Sequence, residues 1–144
     1  MTVKNMAKRY ISFLEKFPDL MRYRDDSMMS TEVPELGWAL IMMESPQENL
    51  GKNYMEQNQF LRAMSTSLSL PTHLVRRRTM VKAIHDLIGG ELVLGQHLQR
   101  ASLDSTTSSP AKNDYVCVYN PDETIRVRDL SRVTHHPSVG VTPN

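Results

Sequence analysis

Three consecutive arginines, Arg76-Arg77-Arg78, with Lys82, Arg62 and Arg100 on either side, form the densest group of one charge in the chain. Guanidinium and ammonium groups at this density can neutralise phosphate oxygens, and the segment 68–74 between two amphipathic runs permits a helix-turn-helix reading. Successive residues on a helix are rotated by about 100° from one another, so three arginines in a row cannot all face one duplex. The net charge of +1 also lacks the basic excess usual in a nucleic-acid binder. The expectation is therefore a solvated face paired with acidic helices, with nucleic-acid binding through Arg62, Arg76, Arg77, Arg78, Lys82 and Arg100 as the alternative.

A second group lies near the C-terminus, where Tyr115, Cys117 and Tyr119 alternate along one segment and Arg126 and Arg128 along the next. Aromatic rings and guanidinium groups together can stack on nucleic-acid bases. Cross-strand Tyr–Arg pairs also finish an exposed sheet face, and both residue types are favoured at protein interfaces. Tyr115, Tyr119, Arg126 and Arg128 are accordingly candidates for protein contact. So are Met28 and Met29, because adjacent methionines in a polar loop make an adaptable surface. Val139 and Val141 join them as apolar residues in a terminal segment with too few others for a core of its own.

The remaining reactive types do not assemble into a site. His73, His85 and His97 recur every twelve residues, which turns each about 120° from the last on a helix, so they share no face. His135-His136 has no acidic or Cys partner at metal-site spacing. Cys117 falls within a strand-like run without a recognisable activating neighbour, and neither a Gly-x-Ser-x-Gly elbow nor a phosphate- or dinucleotide-binding glycine pattern occurs. No catalytic residues, metal or cofactor are expected.

The elements that would carry these residues change character near Asp104. Met6, Ala7, Tyr10, Phe13, Leu14 and Phe17 recur at helical spacing until Pro18, and Pro34 begins a second apolar run to Glu44. Ser45-Pro46-Gln47-Glu48 has the spacing of a capping box with proline at the first helical position, which predicts a helix of about six turns with Leu50, Tyr54, Leu61, Met64 and Leu68 inward. Pro71 restarts the chain, and Leu74, Val81, Ile84 and Ile88 continue to a helix stop at Gly89-Gly90, with a last short helix reaching Leu103. Then Ser105-Thr106-Thr107-Ser108-Ser109-Pro110 reads as a joint. Two period-two segments follow around Asn120-Pro121-Asp122-Glu123 and predict a hairpin. Only a register whose paired residue numbers sum to 243 or 245 keeps Val116, Val118, Ile125 and Val127 on one face.

The expected architecture is mainly α: a small antiparallel helical bundle over residues 1–103, a flexible linker over 104–113, a β-hairpin over 114–130 and an extended C-terminal arm or tail over 131–144. The charge is uneven: residues 27–60 hold one basic residue against five acidic, and residues 61–103 six against two. With no apolar run near the roughly 20 residues of a spanning helix and no export signal at Met1, the expectation is a chain made in the cytoplasm without membrane association. The function this organisation suggests is a non-enzymatic assembly subunit, with a viral particle as one setting. Its hairpin and arm would contact other proteins or copies of itself, and nucleic acid would be the alternative partner.

Overall fold

A computed structural model of the chain describes residues 2, 4–5, 17–23, 27–33, 46–94, 100–107, 114–120 and 124–141. The helical runs expected before Phe17 and from Pro34 to Glu44 lie outside these residues, as do Ser45, residues 108–113 and the hairpin turn at 121–123. Among these residues the helices are α1 (Ser27–Thr31), α2 (Tyr54–Ser67) and α3 (Met80–Leu94), with 3-10 segments at Pro18–Tyr23 and Gln47–Asn49. The strands are β1 (Arg100–Ser105), β2 (Asp114–Asn120), β3 (Arg126–Ser131) and β4 (Val139–Gly140). They form one sheet in the order β3-β2-β1-β4, in which only the β1–β4 pair is parallel.

The fold is mixed: helices and the C-terminal hairpin are present, and among the described residues the largest core cluster packs helical residues on the hairpin's sheet. Tyr115 pairs with Leu130, Val118 with Val127 and Tyr119 with Arg126, a register summing to 245 as the apolar pattern requires. One face of the hairpin, carrying Val116, Val118, Ile125 and Val127, packs with Phe17, Tyr23 and Met29 and with Met80, Val81, Ala83, Ile84 and Leu87 of α3. Its other face, with Tyr115 and Cys117, is closed by Tyr54 and Val139. A two-stranded hairpin is marginal in water, and here both faces and an extra strand come from the same chain.

Four boundaries differ from expectation, each for a physical reason. Residues 100–105 form β1 rather than the end of a helix and the start of a linker. Ala101 and Leu103 alternate with polar neighbours over six positions, a run too short to separate period two from helical spacing. The Gly89-Gly90 pair does not stop α3, which continues to Leu94. A glycine ends a helix by taking positive φ, and among the described residues only Gly51 does so, at 78°. Pro46 and Glu48 belong to a single 3-10 turn, and α2 starts at Tyr54 behind a capping box made by Asn53 and Glu56. The arm does not extend from the body: β4 lies along β1, Leu103 pairing with Val139 and Asp104 with Gly140.

Each sheet edge is met by a local group. The Val127 N–H at the β3 edge donates to the Asp19 carboxylate at 2.9 Å, and the Gly51 N–H donates to the Val139 carbonyl at 3.1 Å beside β4. Tyr23 donates its hydroxyl to Asp129, which also pairs with Arg22 at 2.6 Å, so β3 is fastened to the Pro18–Tyr23 turn. Burial, then the hydrogen bond to Asp129, pushes the Tyr23 hydroxyl pKa well above the usual tyrosine value.

Candidate interaction surface

Asn53 begins α2 by accepting from the N–H groups of Met55 and Glu56 at 3.0 Å each, while Glu56 Oε2 accepts from the Asn53 N–H at 2.8 Å. The buried residues that follow, Tyr54, Gln57, Leu61 and Ser65, mark its inward stripe. Gln57, which breaks the apolar rhythm in the sequence, is fully buried and donates its amide to the Lys52 carbonyl at 2.9 Å. Its amide oxygen accepts from Arg77 Nη1 at 2.8 Å. Arg77 Nη2 also donates to the Tyr54 carbonyl at 3.2 Å and to Asn58 Oδ1 at 3.0 Å, and the guanidinium lies 3.9 Å from the Tyr54 ring centroid. Arg132 approaches the same ring at 4.7 Å, and the Tyr115 ring stands 5.0 Å away.

Arg78 is 1% exposed and its Nη1 meets Asp86 at 2.9 Å. These arginines precede the helix: Arg77 is in an isolated β-bridge and α3 starts only at Met80, where Thr79 caps it by accepting from the Lys82 N–H at 3.2 Å. Thr79 in turn donates to Glu32. The Arg78 carbonyl accepts from the Thr107 N–H at 2.9 Å, linking the segment to the end of β1. Arg77 and Arg78 are thus interior residues, contrary to the solvated face expected for them, and neither presents its charge to a duplex in this fold. Arg62 and Arg76 are exposed and Lys82 is half-buried, while Arg100 lies on the β1 backbone. The segment has no second helix at Pro71, so the helix-turn-helix reading is also corrected.

Between α2 and Arg77 runs a connection held by its own backbone. The Ser69 N–H donates to Thr66 O at 3.1 Å and the Leu70 N–H to Ser65 O at 3.0 Å, with Ser69 at φ 53°. These two bonds and the left-handed residue make a Schellman motif. The Ser65 hydroxyl adds a bond to the Leu70 carbonyl at 2.7 Å. The Leu74 N–H donates to Pro71 O at 2.9 Å, and Val75 is buried with Leu61 and Val141. From this braced connection three leucines face outward: Leu68 is 56% exposed, Leu70 42% and Leu74 51%. Exposed His73 lies within the same stretch. No acidic residue occurs between Glu56 and Asp86, a span holding Arg62, Arg76, Arg77, Arg78 and Lys82.

The expected contact residues are placed differently. Met29 is in the core, and Met28 lies beside it on the α1 backbone. Tyr115, Val139 and Val141 are fully buried within the chain, which corrects their assignment as an outward surface. Burial pushes the Tyr115 hydroxyl pKa upward. Tyr119 packs at the margin of the Tyr54–Tyr115 cluster, Arg126 is half-buried with its Nε–H donating to Thr124 at 3.1 Å, and Arg128 is exposed. Among the described residues no three His, Cys, Asp or Glu side chains converge as metal ligands, and no helix is long and apolar enough to cross a membrane. The Leu68, Leu70 and Leu74 surface escaped sequence reasoning because helical spacing assigns Leu68 and Leu74 inward, and only the Ser69 backbone turns the path. No known family model matches the chain, and comparison with characterised proteins and with solved structures likewise finds no match.

Proposed function

We propose that this chain is a non-enzymatic assembly subunit that binds protein partners, copies of itself included, through the connection between α2 and α3. The observation that carries the reading is the outward presentation of Leu68, Leu70 and Leu74 from a segment fixed at both ends. Single exposed leucines are ordinary, but three within seven residues on a braced turn are a concentration of exposed apolar side chains that marks a candidate contact surface. Each is already about half covered, so covering the rest would contribute on the order of 1 kcal/mol apiece, without much ordering of the backbone to offset it. The hairpin and the arm support assembly less directly than their sequence suggests, since their apolar residues serve the chain's own core.

The test compares capture by the full chain and by its L68S/L70S/L74S variant, both shown by circular dichroism to be folded, with quantitative mass spectrometry of what each retains. Specific partners should fall at least about tenfold with the variant, equivalent to about 1.4 kcal/mol. They should persist with R126E/R128E on the hairpin. A partner set indifferent to the leucines and dependent on the hairpin arginines would overturn the reading.

A further inference from the structure

We infer that the edge of β1 is a strand-binding site, which the chain fills with its own residues 139–141 and which a second copy can fill with the same segment, so that two copies exchange β4. The contact is separate from the leucine surface. Val139 is fully buried with Tyr54 and Tyr115, and Val141 with Leu61 and Val75. Their backbone is held as specifically. Val139 and Gly140 pair with Leu103 and Asp104, the Gly51 N–H donates to the Val139 carbonyl at 3.1 Å, and Asn49 Nδ2 donates to the Val141 carbonyl at 2.7 Å. All of these partners lie between residues 49 and 115, so the site does not need the connection that delivers β4. Its ligand is an extended segment with valines at alternate positions, bound through its main chain and selected by the two buried side chains. An identical segment from a second copy meets that description by construction.

The connection is built differently. Arg132 stays on the body, its carbonyl accepting from the Tyr54 N–H at 3.3 Å and its Nε–H donating to the Asp114 carbonyl at 3.3 Å. Beyond it Val133, Thr134, His135, Pro137 and Ser138 are exposed. Two turns shape this stretch, Thr134 N–H to Ser131 O at 3.2 Å and Val139 N–H to His136 O at 3.0 Å, and the His135–Glu56 pair at 3.0 Å is open to solvent. Opening it gives up these local bonds, and exchange restores the valine contacts and strand bonds in the other copy. The sheet also sets a minimum length. Gly140, Asp104, Val118 and Val127 stand in one row, whereas β3 runs on to Ser131. Returning from Ser131 to Gly140 therefore crosses the sheet and comes back along it, roughly 20 Å in all. The intervening chain reaches at most about 30 Å, and its slack is taken up in the turns. Without residues 134–137 it reaches only about 17 Å, which keeps β4 from its own β1 but not from that of a second copy.

The experiment is size-exclusion chromatography with light scattering on the purified full chain and its variants, with circular dichroism to show that each is folded. The wild type should be monomeric when dilute, because its own β4 is tethered beside the site, and should form dimers after refolding at high concentration. Deleting residues 134–137 should raise the dimer-to-monomer ratio at least about tenfold, and inserting about six Gly/Ser residues after His135 should lower it. In a C117A background, L103C/V139C puts two thiols on paired positions of β1 and β4. After oxidation its dimer fraction should run as a covalent dimer on a non-reducing denaturing gel, and its monomer fraction as a monomer. A folded deletion variant that stays monomeric overturns the exchange, as does a dimer whose disulfides lie within single chains. If the deletion variant does not fold, chains of wild-type length decide: no dimer at any concentration overturns the exchange, and a covalent dimer supports it. L68S/L70S/L74S should leave the covalent dimer unchanged, and its loss in that variant would assign self-association to the leucines instead. None of these failures alters whether the leucines govern partner capture, so the two readings fail separately.

Discussion

Leu68, Leu70 and Leu74 stand in solvent while Arg77 and Arg78, a few residues later, are enclosed. Composition alone would predict the reverse. The difference lies in what each side chain is offered. Arg77 finds the Gln57 and Asn58 amide oxygens, the Tyr54 carbonyl and the Tyr54 ring within one site, and Arg78 finds Asp86, so their burial is compensated. The leucines sit on a turn whose polar backbone groups are satisfied locally, so the path holds without drawing their side chains fully into the core. Satisfaction of polar groups, more than residue type, decides which side of this segment faces inward.

The largest expected effect breaks the enclosed half of that contrast. Asp86→Ala leaves the Arg78 charge buried without that carboxylate and should lower unfolding free energy by about 3–5 kcal/mol in urea titrations. Replacing both partners, as in R78M/D86L, should recover most of the loss, since an apolar pair of similar volume is often as stable. Arg77→Ala removes the donor to the Gln57 amide oxygen and to the Tyr54 carbonyl and should cost about 2–4 kcal/mol by the same measurement. Val141→Ser tests whether the terminal segment belongs to the body. Val141 is buried with Leu61 and Val75, and its carbonyl accepts from Asn49 Nδ2 at 2.7 Å, so a loss of about 2–3 kcal/mol is expected.

On the exposed half the effects are small. Ser69 takes a left-handed conformation that glycine adopts more readily, so Ser69→Gly should raise stability by at most about 1 kcal/mol, read as a shift in the urea midpoint. The smallest effect concerns Glu56, held below the usual carboxylate range first by the Asn53 N–H and then by the charge of His135. Because its folded value is depressed, its contribution is present above the ordinary glutamate value and is lost as pH falls through the depressed one. Acid should therefore loosen the start of α2 and the segment around His135. Amide exchange at Asn53 rising earlier in acid than exchange at Leu70 would check this.

Much of the hairpin was legible from sequence. Val116, Val118, Ile125 and Val127 can share a face in only one kind of register, so pattern and sterics fixed the pairing together. The docking of Val139 and Val141 was not legible, because a two-residue strand carries too little pattern to reveal its partner. The true start of α2 was written in Asn53 and Glu56, but the stronger-looking Ser45 to Glu48 spacing competed with it. The buried arginines were hidden for a different reason. A run of three like charges signals a solvated surface unless acceptors from distant positions converge, and Gln57, Asn58 and Asp86 converge only in the folded chain. Gln57 was the available clue: a polar residue at an inward helical position needs a buried partner.

Arginine-selective labelling with phenylglyoxal, mapped by peptide mass spectrometry, reads the inversion of this segment most directly. In the folded chain Arg62 and Arg76 should react readily while Arg77 and Arg78 stay protected, and all four should react once urea unfolds it. Arg77 and Arg78 reacting in the folded chain as fast as Arg76 would contradict the account.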